Sequence, residues 1–159
     1  MISDRPQKEI RALFTDTTIR VYQAYNSYIA EEAVRIGTFG PLFCMDRMTW
    51  IKPSFLWMMY RCGWAQKENQ EHVLAIDIKR SGFDKAVRSA VISSYSEDCG
   101  ISKEEWQHLV KDSDVRIQWD PDNCGFGISV SGIRMLSVRL CGFPPRLTFF
   151  SITKAPEGS

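Results

Sequence analysis

The sequence predicts an α+β fold: a single domain over residues 1–159, with a mostly antiparallel sheet and packed helices. Three observations predict it. Stretches of alternating β-branched and aromatic residues are interspersed with stretches of helical period. Their order mixes helices with strands expected to run mostly antiparallel. The chain of 159 residues is 44% hydrophobic and 25% charged, enough apolar side chain for a core without disulfide or metal.

Taken in order, PQKEIRALF reads as a short helical or irregular arm. TIRVYQAY, Thr18 to Tyr25, is β-branched and aromatic and reads as a strand. Asn26 can cap the helix SYIAEEAVRI, where Ile29, Ala33 and Ile36 share one face and Gly37 supplies the stop. After the loop GTFGPLF, Pro53 marks a first helical turn, since its missing N–H costs nothing there. The helix PSFLWMMYRC then ends at Gly63 and is apolar nearly all round, which predicts a central position.

HVLAIDIK alternates, with Leu74, Ile76 and Ile78 on one face and Asp77 and Lys79 on the other. Phe83, Val87, Ala90 and Val91 recur at helical spacing. Ser102 and Glu105 form a capping box ahead of Trp106, Leu109 and Val110. VRIQW places Val115, Ile117 and Trp119 on one face of a strand, with Arg116 and Gln118 on the other. DPDNCG is turn chemistry. The remainder, to Thr153, reads as three strands broken by Gly and Pro-Pro.

Composition narrows the function classes. A formal net charge of +1 argues against a general nucleic-acid coat or a polybasic membrane binder. The longest apolar run, FLWMMY, is far short of the roughly 20 residues that span a bilayer. Five cysteines with no CxxC pair, behind an N-terminus lacking an apolar leader, point to free thiols and a soluble, cytoplasmic protein. There is no phosphate-cradling GxxxxGK[ST], no GxGxxG, no HExxH and no GxSxG. With only His72 and His108, no histidine-rich metal site is available.

Arg47 to Trp64, RMTWIKPSFLWMMYRCGW, is the most distinctive stretch. It holds three of the five tryptophans, and no acid lies between Asp46 and Glu68. Arg47, Lys52 and Arg61 flank its aromatic residues. Arginine suits phosphate because its planar fork gives two parallel hydrogen bonds. A helix starting near Ser54 offers N–H groups to an anion, and Trp50 offers a platform for a base or nicotinamide ring. Arg20, with Tyr22 and Gln23 on the first strand, and Arg116 with Gln118 on a later one, complete the candidate ligand contacts. Asp120 is the weak candidate for a catalytic acid. Plainer readings stand beside these. Arg20 and Arg116 pair with Asp77 or Asp120 across a sheet, Trp57, Met58 and Met59 fill the core, and Asp120 is a turn residue.

EIRALFTDTTIRVYQAYNSYIAEEAV, RMTWIKPSFLWMMYRCGWA, HVLAIDIKRSGF and VRIQWDPD together resemble the family of the domain of unknown function DUF4291 over residues 9–122. The members it resembles continue with a segment like YRSIQIGL, whereas residues 123–159 here follow another course. The resemblance brings no catalytic residue or cofactor with it.

Two readings of function follow from the residues. One is a nucleotide-handling enzyme, in the manner of ADP-ribosyltransferases with NAD as cofactor. There Arg20 would hold the diphosphate and Trp50 would face the nicotinamide. The late glutamate such enzymes use is missing, since no acid lies between Asn123 and Pro156, and Asp120 is the only nearby substitute. The other is a non-catalytic module that binds RNA or a phosphorylated partner through Arg47, Trp50, Lys52 and Arg61.

Overall fold

A computed structural model describes residues 10–44, 48–124, 128–141 and 149–154, with side chains for 10–44, 49–97 and 99–119. Its strands are β1 (Thr18–Tyr25), β2 (Met48–Ile51), β3 (His72–Lys79), β4 (Val91–Ile92), β5 (Val115–Cys124), β6 (Ile128–Cys141) and β7 (Phe149–Lys154). Its helices are α1 (Ser27–Ile36), α2 (Phe55–Arg61), α3 (Arg80–Ser89) and α4 (Lys103–Asp112). The fold is α+β. One sheet has the order β1-β3-β7 and the other β2-β6-β5-β4, and every pairing is antiparallel except β4 with β5.

β1 follows its sequence pattern residue by residue. Ile19, Val21, Gln23 and Tyr25 are buried and their neighbours half-buried. Asn26 caps α1, its side chain accepting from the Ile29 amide at 3.0 Å, and Gly37 leaves the helix in the left-handed region at φ 73°. Ser102 caps α4 in the same way through Glu105 N at 3.1 Å. Ile117 is buried, with Val115 and Trp119 packed beside it against the core.

β3 departs from simple alternation. It lies between β1 and β7, so Val73, Leu74, Ala75 and Ile76 are all buried, on both faces. Leu74, Ile76 and Ile78 join a cluster with Val21, Ala33, Phe83, Ile51 and Ile117, which therefore takes residues from both sheets. Val73 instead joins Met58, Met59 and Cys62 under α2. Asp77 is the polar exception, and its register partner on β1 is Arg20. Arg20 Nε and Nη2 donate to the two Asp77 carboxylate oxygens at 2.7 and 2.6 Å.

Several expectations are corrected. MTWI, to which the sequence pattern assigns no element, is a strand, β2. Pro53 precedes the Ser54 cap and is buried, so it is not in the first helical turn. α2 is half exposed despite its apolar sequence: Leu56 is 52% and Tyr60 61% accessible. Its seven residues present one flank to the sheet, which covers only Met58 and Met59. Val91 begins β4, because α3 stops at Ser89. Asp120 to Cys124 stay in β5, with a register shift between Pro121 and Asn123 that accommodates the proline. The segment after it contains two strands among the described residues, β6 running through Gly132 without a break. Of the arm, residues 1–9 lie outside the described residues, and Ile10 to Leu13 are irregular.

The Arg20–Asp77 pair is part-buried and two-pronged, so its loss leaves one charge facing the sheet. Asp77→Ala and Arg20→Ala are each expected to lower stability by roughly 1–2 kcal/mol, measured by urea unfolding. The double variant should lose less than the sum of the two. Additive losses would show that the pair does not act as a unit.

Candidate functional site

β1 is an edge strand, and its outer edge is occupied by other parts of the chain. Arg20 N donates to Leu13 O at 2.8 Å. Two residues on, Tyr22 N donates to Lys52 O at 2.7 Å and Lys52 N to Tyr22 O at 3.2 Å. Lys52 directly follows β2, which pairs with β6 in the other sheet. The chain thus changes sheets between Ile51 and Lys52. This corner brings Trp50, Lys52 and the start of α2 against β1.

The corner holds a two-lobed cleft. The larger lobe, about 290 Å³, is lined by Gln23, Thr49, Asn69 and Gln70 among others. The smaller, about 140 Å³, is lined by Trp57 and Gln118. Trp50, Lys52 and Arg61 line both lobes and so form their common wall. Lys52 is only 5% exposed, and its Nζ lies 5.8 Å from the Trp50 ring centroid and 5.9 Å from that of Trp57. This is cation–π distance to two indoles at once. Trp57 in turn stacks on Tyr60, centroids 5.3 Å apart and planes 21° apart.

Gln23 lies on the core face of β1 and is 2% exposed. Its Nε2 donates to Thr49 Oγ1 at 2.8 Å and to Trp50 O at 3.2 Å. Its Oε1 has no hydrogen-bond partner among the described residues, and neither has Trp57 Nε1. Both atoms are buried.

Five sequence candidates therefore converge on one cleft: Gln23, Trp50, Lys52, Arg61 and Gln118. Others go elsewhere. Arg20 is held by Asp77 and lines neither lobe; those hydrogen bonds raise its guanidinium further above the ordinary value. Tyr22 contributes its backbone to the corner, and its ring packs on Phe55 at 5.4 Å. The Ser54 hydroxyl accepts from Trp57 N at 3.2 Å, so it is a helix cap. Arg116 Nη2 donates to Val110 O at 2.8 Å, a cation at the last turn of α4. Arg47 and the side chain of Asp120 lie outside the described residues.

Sequence reasoning missed Trp57 as a cleft residue, together with Thr49, Asn69 and Gln70. The alternation of Thr49 and Ile51 against Trp50 and Lys52 was the available signal, legible once MTWI is taken as a strand. The model of a domain of unknown function (DUF4291) matches residues 9–140. The chain belongs to the DUF4291 family. No curated protein matches it. The DUF4291 match contains every residue named above as lining the cleft. It also continues past Asp122 to Leu140, so residues 123–140 fall inside the family region and not in a divergent tail.

Burial raises the Tyr22 hydroxyl above its ordinary value of 10.0; the Arg20 charge opposes this and Asp77 reinforces it. A tyrosine whose folded pKa is raised contributes stability below its unfolded value, lost as pH climbs through the folded one. The tyrosinate absorbance that Tyr22→Phe removes is expected to titrate above pH 10.0. Over that alkaline range wild-type Tm should fall more steeply than that of the variant. Parallel Tm curves would show that Tyr22 is not desolvated.

Proposed function

We propose that the protein binds a small phosphate-bearing ligand with a flat ring, of the nucleotide class, in the cleft at the sheet corner. The observation that carries the reading is Lys52, an ammonium group 5% exposed and set between two indole rings. A phosphate interacts more strongly with a cation in such a low-dielectric setting than at an open surface. Arg61 stands on the same wall and supplies a second cation with a planar fork. Trp50 and Trp57 offer faces on which a ring can stack.

The size of the cleft supports a compact ligand over a strand. Its larger lobe is near the lower end, about 300 Å³, of small-molecule sites. An RNA track would use a row of cations, which a net charge of +1 does not favour. The reading as an NAD-using transferase loses Arg20, its diphosphate holder, to Asp77. Ligand recognition is accordingly the function proposed, in the cytoplasm that the cysteine usage suggests.

Isothermal titration calorimetry against AMP, GMP, CMP, UMP, NAD and a short RNA tests the reading. At least one mononucleotide is expected to bind, and Lys52→Met to weaken it about tenfold or more. Circular dichroism checks that the variant stays folded. Binding of RNA alone, with a steep salt slope, would overturn the proposal in favour of a nucleic-acid module. No binding by any mononucleotide, or equal binding by folded Lys52→Met, would also overturn it.

A further inference from the structure

Of the four α-helices, α4 buries none of its residues, whereas α1, α2 and α3 each bury two. It is tethered beside β4 through Trp106, whose Nε1 donates to Ile92 O at 2.8 Å and whose ring lies 5.7 Å from that of Tyr95. A helix of ten residues is marginal in water without tertiary packing. Leu109 is 45% exposed, with Glu105 one turn before it and Asp112 one turn after, both exposed. Residues 103–114 hold four acids against two lysines.

α2 carries the complementary chemistry. Leu56 and Tyr60 are each more than half exposed and stand one turn apart on its outer flank, and Trp64 just after the helix is 55% exposed. The cations Arg61 and Lys67 are exposed with them, and no acid lies between Asp46 and Glu68. Among the described residues, neither these two cations nor Glu105 and Asp112 form an ion pair. Within one chain the two faces are held apart. α2 follows β2 and α4 is tethered beside β4, the opposite edges of the four-stranded sheet, three strand spacings or roughly 14 Å from each other.

We propose that the acidic flank of α4 around Leu109 docks on the basic, aromatic flank of α2 in a second copy of the chain. Charge complementarity selects this pairing. α2 against α2, or α4 against α4, sets like charges face to face, and only α2 against α4 joins opposite ones. Trp, Tyr and Arg are also the residue types that most often anchor protein interfaces. The contact is head-to-tail, so every pair leaves one α2 face and one α4 face unused, and association grows with concentration.

Sedimentation velocity on the full chain tests the proposal. The weight-average mass is expected to rise with protein concentration at low salt, and to fall back in about 1 M salt, where screening is nearly complete. Lys67→Glu and Glu105→Lys should each weaken association about tenfold or more. An equimolar mixture of these two variants should associate again, because the altered face of each meets the altered face of the other. Leu109→Ser should weaken association with no change of charge. All three positions are exposed, and circular dichroism checks that the variants fold. The mass of one chain at every concentration of wild-type protein would overturn the proposal and needs no variant. Association that salt or both charge variants leave intact, or a mixture that fails to recover it, would overturn it as well.

Discussion

The exchange of two backbone hydrogen bonds between Tyr22 and Lys52 is the contact on which the rest of the site depends. It is a bridge one residue pair long, yet it joins the edge of one sheet to the end of a strand in the other. Because β2 pairs with β6 up to Ile51 and Lys52 pairs with β1, the chain must turn from one sheet to the other within a single peptide step. Ile51 goes into the shared core with 1% exposure. The alternation of a strand then sends Trp50 and Lys52 to the opposite side. The burial of a lysine is thus a consequence of topology: its backbone closes an edge, and its side chain has nowhere to go but the corner.

The same constraint sorts the residues of β1. Its outer edge would otherwise offer unpaired N–H and C=O groups, and the Leu13 and Lys52 backbones cover it. One face of the strand carries Ile19, Val21 and Tyr25 into the core, and Gln23 shares their parity. A glutamine there is tolerable because Thr49 and the Trp50 carbonyl, delivered by the corner, meet its amide nitrogen. The other face carries Tyr22 and Ala24 under α2, with Arg20 answering Asp77 beyond them. Arg20 and Gln23 are both polar residues inside a strand, but one is a structural partner and the other belongs to the cleft. The difference lies in what the neighbouring strand places opposite.

That explains how far the sequence could be read. β1, α1, β3 and α4 were legible because their periodicity and caps are local: Asn26, Gly37 and Ser102 act within their own turns. β2 was hidden, since four residues followed by Lys-Pro look like the approach to a helix, and what makes them a strand is β6, some ninety residues later. β5 and β6 were broken too early for a related reason. Pro121 and Gly132 are breakers by propensity, and both lie at the register shift, where the ladder is interrupted between Pro121–Arg134 and Asn123–Ser129 while the strands run on. Of the site, Trp50, Lys52 and Arg61 could be singled out by an acid-free aromatic stretch. Trp57 could not be told from core filling, because an apolar helix gives no sign of which flank the sheet will leave uncovered. Arg20 and Arg116 had two readings each, and the partners that decide, Asp77 and the Val110 carbonyl, are tertiary.

The turn after α2 shows how the cleft is held in shape. Gly63, Trp64 and Ala65 follow one another in the left-handed region, at φ 60°, 57° and 63°. For the two residues with a Cβ this costs roughly 1–2 kcal/mol each. Opposing that cost are hydrogen bonds from Trp64 N to Met59 O at 2.7 Å and from Lys67 N to Cys62 O at 3.2 Å. Lys67 Nζ also donates to Arg61 O at 2.7 Å, and the fully buried Cys62 accepts from Ala65 N through its sulfur at 3.4 Å. After this turn, Asn69 and Gln70 come back to line the larger lobe, and the Arg61 carbonyl is held by Lys67. Backbone strain of this kind persists only where surrounding contacts over-determine it, and it concentrates at binding sites. The turn on one side of the cleft and the Gln23 amide on the other are each held by hydrogen bonds from the chain itself, so both walls keep their places.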